Sequence, residues 1–293
     1  MNRRGFALLT VLWAVALASA VVGATIAAAR LQVLASENRV TLTRAAWARD
    51  ACREILLARI DPDSAMRPMA GAAGPVRDTI HLGRGTWCRA AVEDPGAKLN
   101  LNTADAEALR LLLGSDSLVD ALLDWRDADD VPRPLGAERT WYVAQGRPAP
   151  RNGELADLGE LMLVRGFDSA SVARLAPLVT TRGDGRVNLA AAPPEVLATL
   201  PGMTESLARL LLAARADGRL TSRPAEFVDA LPSDARRALL ARYQDFAMRT
   251  SATPGQLVAR IEGGVRGRAP VARETLALVP VPGRLAVLRR EFD

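Results

Sequence analysis

The first thirty residues, MNRRGFALLTVLWAVALASAVVGATIAAAR, decide how the rest of the chain can fold. Residues 1–5 form a short basic segment, and residues 6–29 contain neither a charged residue nor a proline. At 1.5 Å per residue the uncharged run makes about 36 Å of helix, enough to cross a hydrocarbon core of about 30 Å with some tilt. Because Arg3 and Arg4 precede it, a cytoplasmic N-terminus is favoured. The sequence therefore predicts a single-pass membrane segment.

The composition of this segment leaves three interpretations open. One is a secretory signal peptide, for which residues 18–20 (Ala-Ser-Ala) offer a cleavage site, although apolar residues continue beyond it. The second is a plain signal anchor. The third depends on residues 4–6, Arg-Gly-Phe, where a basic leader ends in Gly and an apolar run begins with Phe.

This junction resembles the prepilin-peptidase site of type IV pilins and pseudopilins. The resemblance implies cleavage between Gly5 and Phe6 and N-methylation of Phe6. Pilin-like subunits usually carry Glu at the fifth mature position, and in this chain that position is Thr10.

The remaining composition argues against catalysis and against nucleic-acid binding. With 49% hydrophobic residues among 293, the chain has too few for several membrane spans. The net charge is +5, but the arginines are scattered and often stand beside Asp or Glu, which is typical of a solvated surface. The single histidine, His81, lies in an alternating segment that predicts a half-exposed strand. We therefore expect neither an enzyme nor a nucleic-acid partner.

The helix is expected to continue beyond the membrane. Residues 30–60 contain no proline or glycine and have apolar residues at helical spacing, and Asp61-Pro62 is expected to end the helix. After a loop rich in Gly, Ala and Pro at 66–75, residues 79–92 alternate around a turn at 83–85. This pattern predicts a β-hairpin.

An internal repeat follows the hairpin. The segment KLNLNTADAEAL from Lys98 aligns with RVNLAAAPPEVL from Arg186, and each has a basic residue, an apolar-Asn-apolar stretch and a helix start. Asn102 or Thr103 is expected to cap the first helix, and the prolines at 193–194 fit the first turn of the second. The segment between residues 98 and 245 is thus predicted to be a helical domain built of hairpins.

These hairpins resemble helix-hairpin-helix modules, which hold DNA phosphates through the amides of a turn with two glycines. Here Asp168 and Thr204 stand where the second glycine of each turn would be. Asp168 would repel phosphate and Thr204 would hinder a close backbone approach, so a structural use is expected. A membrane-tethered DNA receptor of the competence type is the alternative.

From residue 246 onward, short β-like runs return at 256–261, 274–279 and 285–289. The predicted fold is α+β: a long N-terminal helix packed on a small antiparallel sheet, with a large all-helical domain of helical hairpins inserted between strands. The predicted divisions are a leader at 1–5, a transmembrane half-helix at 6–29, a soluble helix with the first strands at 30–97, the insert at 98–245 and returning strands at 246–293.

The densest feature of the insert is an acidic stretch that begins at Asp124. Asp127 and Asp129, with Glu138 beyond a Pro-Gly loop, provide the carboxylate oxygens that Ca²⁺ prefers, and Asp124 and Asp130 are weaker candidates. The alternative is a helix end whose solvated carboxylates pair with neighbouring arginines.

Taken together, these motifs are similar to the K-type minor pseudopilins of the type II secretion system over nearly the whole chain. The motifs are the Arg-Gly-Phe-Ala-Leu-Leu junction, the DWRDADD run at 124–130, Gly-Ala-Glu followed by Trp141-Tyr142, the segment 161–167 and the hairpin at 187–202. The resemblance implies a pilin-like head with a helical insert, Ca²⁺ binding and no enzymatic activity. It implies as partners other minor pseudopilins, the major pseudopilin, a prepilin peptidase and an inner-membrane assembly platform.

The same resemblance implies a position at the tip of a pseudopilus. In pilin-like assemblies the fifth-position Glu is thought to meet the N-terminal amine of the neighbouring subunit. A first subunit has no such neighbour, so Thr10 suits the tip, and a bulky insert would block stacking above it.

The two cysteines are expected to lie on different elements, Cys52 late on the long helix and Cys88 on the hairpin. The membrane segment predicts an inner-membrane protein with a cytoplasmic N-terminus and a periplasmic C-terminal part. In that oxidising compartment we expect Cys52 and Cys88 to form a disulfide that pins the sheet to the helix.

Overall fold

The structure is a computed structural model that describes residues 3–59, 76–220, 224–229, 231–281 and 284–292, without the side chains of residues 3–10, 76–78 and 224. The described strands are β1 Val76–Gly83, β2 Thr86–Glu93, β3 Leu99–Asn100, β4 Val179–Thr180, β5 Val187–Asn188, β6 Thr250–Ser251, β7 Leu257–Val265, β8 Ala272–Val281 and β9 Arg284–Phe292. The α-helices are α1 Arg3–Arg59, α2 Ala106–Leu113, α3 Asp116–Arg126, α4 Arg139–Ala144, α5 Ser169–Leu175, α6 Pro194–Leu197, α7 Glu205–Ala216, α8 Pro224–Asp229, α9 Ser233–Leu240 and α10 Tyr243–Arg249. Two short 3-10 helices span Pro95–Ala97 and Leu158–Leu163.

Helix α1 is continuous over 57 residues. Within the described residues it is the one helix long and apolar enough to span a membrane, by length and composition. Residues 11–40 are exposed, and burial begins at Ala45 and Ala48, where the helix reaches the sheet. The expected stop at Asp61-Pro62 and the expected loop at 66–75 lie outside the described residues.

The five-stranded sheet has the order β1-β2-β7-β8-β9, with every neighbouring pair antiparallel. Helix α1 crosses β7 so closely that a Cβ added to Gly263 would lie 2.1 Å from the carbonyl oxygen of Ala45. Cys52, Cys88, Ile261 and Leu276 are among the buried residues between helix and sheet. The α+β fold class, with a long helix on a small antiparallel sheet, is confirmed.

The insert joins the same end of two neighbouring strands. Glu93 at the end of β2 pairs with Val258 near the start of β7, so the chain leaves and re-enters the sheet at one place. Its own core, separate from that of the sheet, is built around large buried side chains such as Trp125, Tyr142 and Phe246. The predicted boundary between residues 245 and 246 falls inside α10, because Phe246 belongs to the core of the insert.

The internal repeat is visible in three dimensions. Strand β3 pairs in parallel with β4, and β5 pairs in parallel with β6. The Arg126 guanidinium donates to the carbonyl oxygens of Leu101 and Ala104, and Arg215 donates to the equivalent oxygens of Leu189 and Ala192. Each half therefore closes its turn with one half-buried arginine from the end of a helix. The two short parallel pairs also mean that the insert is not all-helical as predicted, because each half pairs a short extended segment with a distant one.

The caps of the first half differ from the prediction. Asp105, rather than Asn102 or Thr103, caps α2, and its side chain accepts the N–H of Ala108 at 2.8 Å. The Asn102 side chain is used elsewhere, since it accepts the N–H of Leu155 and donates to the carbonyl oxygen of the same residue. The tertiary contact thus displaces the local capping choice.

Candidate metal centre and family membership

The acidic stretch places three carboxylates at the end of α3. Asp124 lies in the last turn of the helix, Asp127 follows the helix directly, and Glu138 precedes α4. One oxygen from each of the three lies within 4.8 Å of the others. Asp124 and Glu138 are buried, and Asp127 is half-buried.

Arg133, in the loop between α3 and α4, holds two of these carboxylates in place. Its backbone N–H donates to Asp124 Oδ2 at 3.1 Å, and its Nη1 donates to Asp124 Oδ1 at 2.6 Å and also to Asp127. Gly136 lets the loop pass over Asp124, because a Cβ at this position would lie 2.0 Å from Asp124 Oδ2. The loop is therefore folded around the Asp124 carboxylate.

Aromatic residues and a second arginine support the loop from behind. The rings of Trp125 and Tyr142 meet edge to face, with their centroids 5.2 Å apart. The Tyr142 hydroxyl accepts the N–H of Arg165 at 2.9 Å, and Arg165 Nη1 donates to the carbonyl oxygen of Gly136 at 2.8 Å. This support fixes the position of the loop relative to α3 and α4.

Glu138 is the unsatisfied member of the group. Both of its carboxylate oxygens, and Oδ1 of Asp127, are buried without a hydrogen-bond partner among the described residues. Burial, and after it the charges of Asp124 and Asp127, raise the pKa of Glu138 to about 7. Because a buried acceptor without a partner is costly, the group requires a proton or a cation.

The residues fit a hard cation such as Ca²⁺. Three carboxylates converge, and Arg133 supplies one positive charge against three negative ones. Carboxylate oxygens are the ligands that Ca²⁺ prefers, and the orphaned atoms of Glu138 and Asp127 offer free lone pairs. Asp124, Asp127 and Glu138 would hold the ion, and it would join the end of α3 to the start of α4.

The predicted ligand set agrees with this group in two members of three. Asp127 and Glu138 come together as expected, but the third place belongs to Asp124 and not to Asp129. The Asp129 side chain is exposed and accepts the N–H of Val131 at 2.8 Å, and Asp130 accepts Nδ2 of Asn152 at 3.0 Å. The prediction paired Asp127 with Asp129 because they are two residues apart in one loop. Asp124 lies nearer to Asp127 in space, because positions three residues apart at a helix end lie on one face.

Known proteins are similar in sequence to this chain over the acidic group and beyond it. Residues 92–184 match the model of a family described as type II secretion system (T2SS), protein K. The type II secretion system protein K of Pseudomonas aeruginosa is 28% identical over 245 residues, which cover 70% of this chain and 72% of that protein. The chain is thus similar to proteins named type II secretion system protein K, and its residues 92–184 carry the segment that the family model describes.

Two further known proteins are similar to this chain, one in sequence and one in fold. The type II secretion system protein K of Klebsiella pneumoniae is 38% identical over 125 residues, 40% of this chain and 37% of that protein. The crystal structure of the GspK-GspI-GspJ complex from enterotoxigenic Escherichia coli contains a chain of the same fold, with a TM-score of 0.60 at 18% identity. That match covers 90% of this chain and 99% of the other.

The processing residues predicted from the protein K resemblance lie in the first turns of α1. The helix contains Gly5, Phe6 and Thr10, but the described part of the structure does not include the side chains of residues 3–10. Cleavage after Gly5 and methylation of Phe6 therefore stay predictions.

The two cysteines of this chain are paired in the structure. A disulfide joins Cys52 on α1 to Cys88 on β2, with the Cα atoms 5.9 Å apart. The pair connects the helix to the second strand of the sheet, as expected from the sequence. Its formation in the cell remains a prediction.

The turns that resemble DNA-binding hairpins are closed by their own side chains. Asp168 caps α5 and accepts the N–H of Ser171 at 2.7 Å, and Thr204 caps α7 and accepts the N–H of Leu207 at 3.2 Å. In a phosphate-binding hairpin these helix-start amides would face the ligand. Their capping favours a structural role for both hairpins.

Proposed function

We propose that this chain is the tip subunit of the pseudopilus, where it starts assembly and supports protein export across the outer membrane. The observation that carries the proposal is the place of the insert. The insert leaves the sheet at Glu93, the end of β2, and re-enters it at Leu257, the start of β7. This end of the two strands is opposite the β7–β8 turn, where Arg268 contacts α1 at Asn38. A domain at this far end of the head would obstruct a subunit stacked above it, while the rest of α1 stays free for subunits below.

The partners are proposed from the comparisons with known proteins. We propose that the chain binds other minor pseudopilins, since the matched structure is titled as a complex of GspK with GspI and GspJ. The major pseudopilin and the inner-membrane assembly platform would be engaged later, as the pseudopilus grows. The chain performs no chemistry of its own in this role and needs no nucleic acid.

The anchor and its processing complete the proposal. Helix α1 would cross the inner membrane once, with its N-terminus in the cytoplasm and the head in the periplasm. A prepilin peptidase would cut after Gly5 and methylate Phe6. Thr10, in place of the usual Glu, suits a subunit without a neighbour above it.

We also propose that Ca²⁺ is a structural ligand of the insert, held by Asp124, Asp127 and Glu138. The ion would compensate the carboxylates that Arg133 leaves uncompensated. It would stabilise the insert and would take no part in a reaction.

The assembly proposal is tested in cells that lack the native gene and carry a variant copy. A chain whose insert is replaced by a tight linker between residues 93 and 257 is expected to stay anchored in the membrane. It should no longer obstruct the addition of a subunit above it. Wild-type chain should restore both secretion and pseudopilus formation. Pseudopili that start with normal frequency in cells without any copy of the chain would refute the initiating role.

The mass of the mature N-terminal peptide tests the processing. A methylated Phe6 supports the proposal, whereas a peptide that begins at Val21 indicates a signal peptide and one that begins at Met1 indicates a plain anchor.

A further inference from the structure

Two neighbouring turns at one end of the sheet carry three exposed arginines. Arg84 lies between β1 and β2, and Arg266 and Arg268 lie between β7 and β8, and all three are exposed. The N–H of Arg266 donates to the carbonyl oxygen of Gly85 at 2.7 Å, so the two turns are joined. These three arginines are called the basic edge below.

The height of the basic edge above the membrane follows from its contact with α1. Arg268 Nη1 lies 3.5 Å from Asn38 Oδ1 and 3.4 Å from Thr41 Oγ1. Asn38 comes nine residues after Ala29, the end of the uncharged run, which corresponds to about 13 Å of helix. The headgroup layer fills about 5–7 Å of this height. The basic edge is therefore within about one Debye length, 8–10 Å, of the headgroups.

The charge of this region is positive and is not neutralised by nearby acids. Residues 83–86 and 265–271 contain no Asp or Glu. Glu262, the nearest acid on β7, already pairs with Arg89 and, at 3.7 Å, with Arg273. The neighbouring part of α1, residues 30–45, has three arginines and the single acid Glu37. An anionic surface would complement this end of the head.

The backbone of the first turn gives an independent indication. Arg84 has φ +48° and Gly85 has φ +74°, so both central residues of this two-residue hairpin turn are left-handed. Such turns favour Asn-Gly, and a long side chain at the first position is uncommon. A charged residue thus occupies a position that the backbone alone would give to Asn.

We propose that the basic edge docks on anionic phospholipid headgroups of the membrane that holds α1. The proposal rests on the membrane anchoring of the proposed function. Docking would restrict the tilt of α1 in a subunit that has not yet been assembled. The contact would be released when the subunit is lifted into the pseudopilus.

The test uses the full chain in nanodiscs of phosphatidylcholine, with or without phosphatidylglycerol. Hydrogen exchange is followed by mass spectrometry in peptides that cover residues 83–89 and 264–272. We expect exchange in these peptides to be at least about fivefold slower in the anionic discs, since each basic group near the surface contributes about this factor. The difference should be lost in 1 M salt.

The variant R84N/R266Q removes two charges of the basic edge, and Asn suits the backbone of the first turn. The control is R174Q/R237Q, which removes two exposed arginines of the insert and changes the net charge equally. We expect the difference between anionic and neutral discs to shrink at least about fivefold in the first variant, which keeps Arg268, and to persist in full in the control. Thermal unfolding checks that both variants are folded.

Equal exchange of the wild-type turns in neutral and anionic discs would overturn the proposal. Equal loss of protection in R84N/R266Q and in R174Q/R237Q would also overturn it, because the slower exchange in anionic discs would then depend on net charge and not on the basic edge. Incorporation into the discs is measured separately by size exclusion. A chain that enters neither kind of disc would contradict the membrane anchoring instead.

Discussion

The Nη1 atom of Arg53 on α1 lies 3.3 Å from Oε2 of Glu274 on β8, whose side chain is fully buried. Arg290 on β9 contacts the other carboxylate oxygen at 2.7 Å, and Arg49 lies 3.7 Å away. One buried carboxylate therefore joins the long helix to the last two strands. The ring of Phe292 is flanked by Arg49 and Arg290, at 5.0 and 5.3 Å from its centroid.

Replacing Glu274 by Gln should destabilise the head strongly. Three arginines would lose their common counter-charge, and breaking a buried ion pair by removing one partner costs about 3–5 kcal/mol. Urea unfolding of the full chain in detergent, followed by circular dichroism, measures the effect. The control is E54Q, because Glu54 is exposed and its ion pair within the described part of the chain is with Arg53, so its loss should cost less than about 1 kcal/mol. Similar losses in both variants would contradict the central position of Glu274.

Calcium should stabilise the wild-type chain and should do so through Glu138. At a free concentration of about 100 times Kd, binding contributes about 2.7 kcal/mol, or a rise in Tm of about 5–10 °C. We expect E138Q to lose most of this rise and to weaken binding at least about tenfold, because the amide removes a negative ligand. The matched control is D129N, whose side chain faces solvent and should leave the rise intact. Calorimetric titration with and without a chelator distinguishes the two.

Without calcium, stability should depend on pH through Glu138. The pKa of Glu138 is about 7 in the folded chain, above its ordinary value of 4.5, because of burial and the charges of Asp124 and Asp127. The folded state then binds a proton that the unfolded state releases, so stability falls as pH rises from about 4.5 to about 7. Above pH 7 the loss is complete. The difference in the free energy of unfolding between E138Q and wild type, measured in chelator from pH 5 to 8, should grow with pH. A flat difference would show that Glu138 is ionised throughout.

Removal of the disulfide between Cys52 and Cys88 should destabilise the helix–sheet unit. The bridge spans 36 residues, and closing a loop of that length in the unfolded chain corresponds to about 3–4 kcal/mol. The double variant C52S/C88S should show this loss in chemical unfolding. Reductant should lower the stability of wild type and leave the double variant unchanged. Peptide mapping of the chain from the periplasm under non-reducing conditions tests the bond itself, and two free thiols there would refute it.

The elements with local signals could be predicted from the sequence. Three elements follow from signals that lie close together in the sequence. Periodicity indicates the long helix, turn residues indicate the hairpin around residue 84, and a cap indicates the helix that ends before Asp217-Gly218. The pairing of β2 with β7 rests instead on contacts between residues far apart in sequence. The split sheet could be proposed as a class, but its register could not.

The metal group shows the same limit at the level of side chains. Asp127 and Glu138 could be predicted as ligands because they belong to a dense run of acidic residues. The place of Asp124 beside Asp127 depends on the residue at which α3 ends, which the sequence does not give. Arg126 and Arg215 lie beyond the twelve residues over which the two copies of the repeat align without a gap. The second copy has one more residue before its arginine, so the equivalence of the two arginines is seen in the structure and not in the ungapped sequence.

The unbroken course of α1 has a mechanical consequence. With 57 residues in one helix that lacks proline, the anchor and the head form a lever about 85 Å long. About 30 of these residues follow the uncharged run, so a pivot of about 10° at the membrane surface displaces the end of the helix, about 45 Å away, by about 8 Å. The disulfide Cys52–Cys88 and the ion pairs of Glu274 fix the sheet to the helix, so the sheet would follow that displacement.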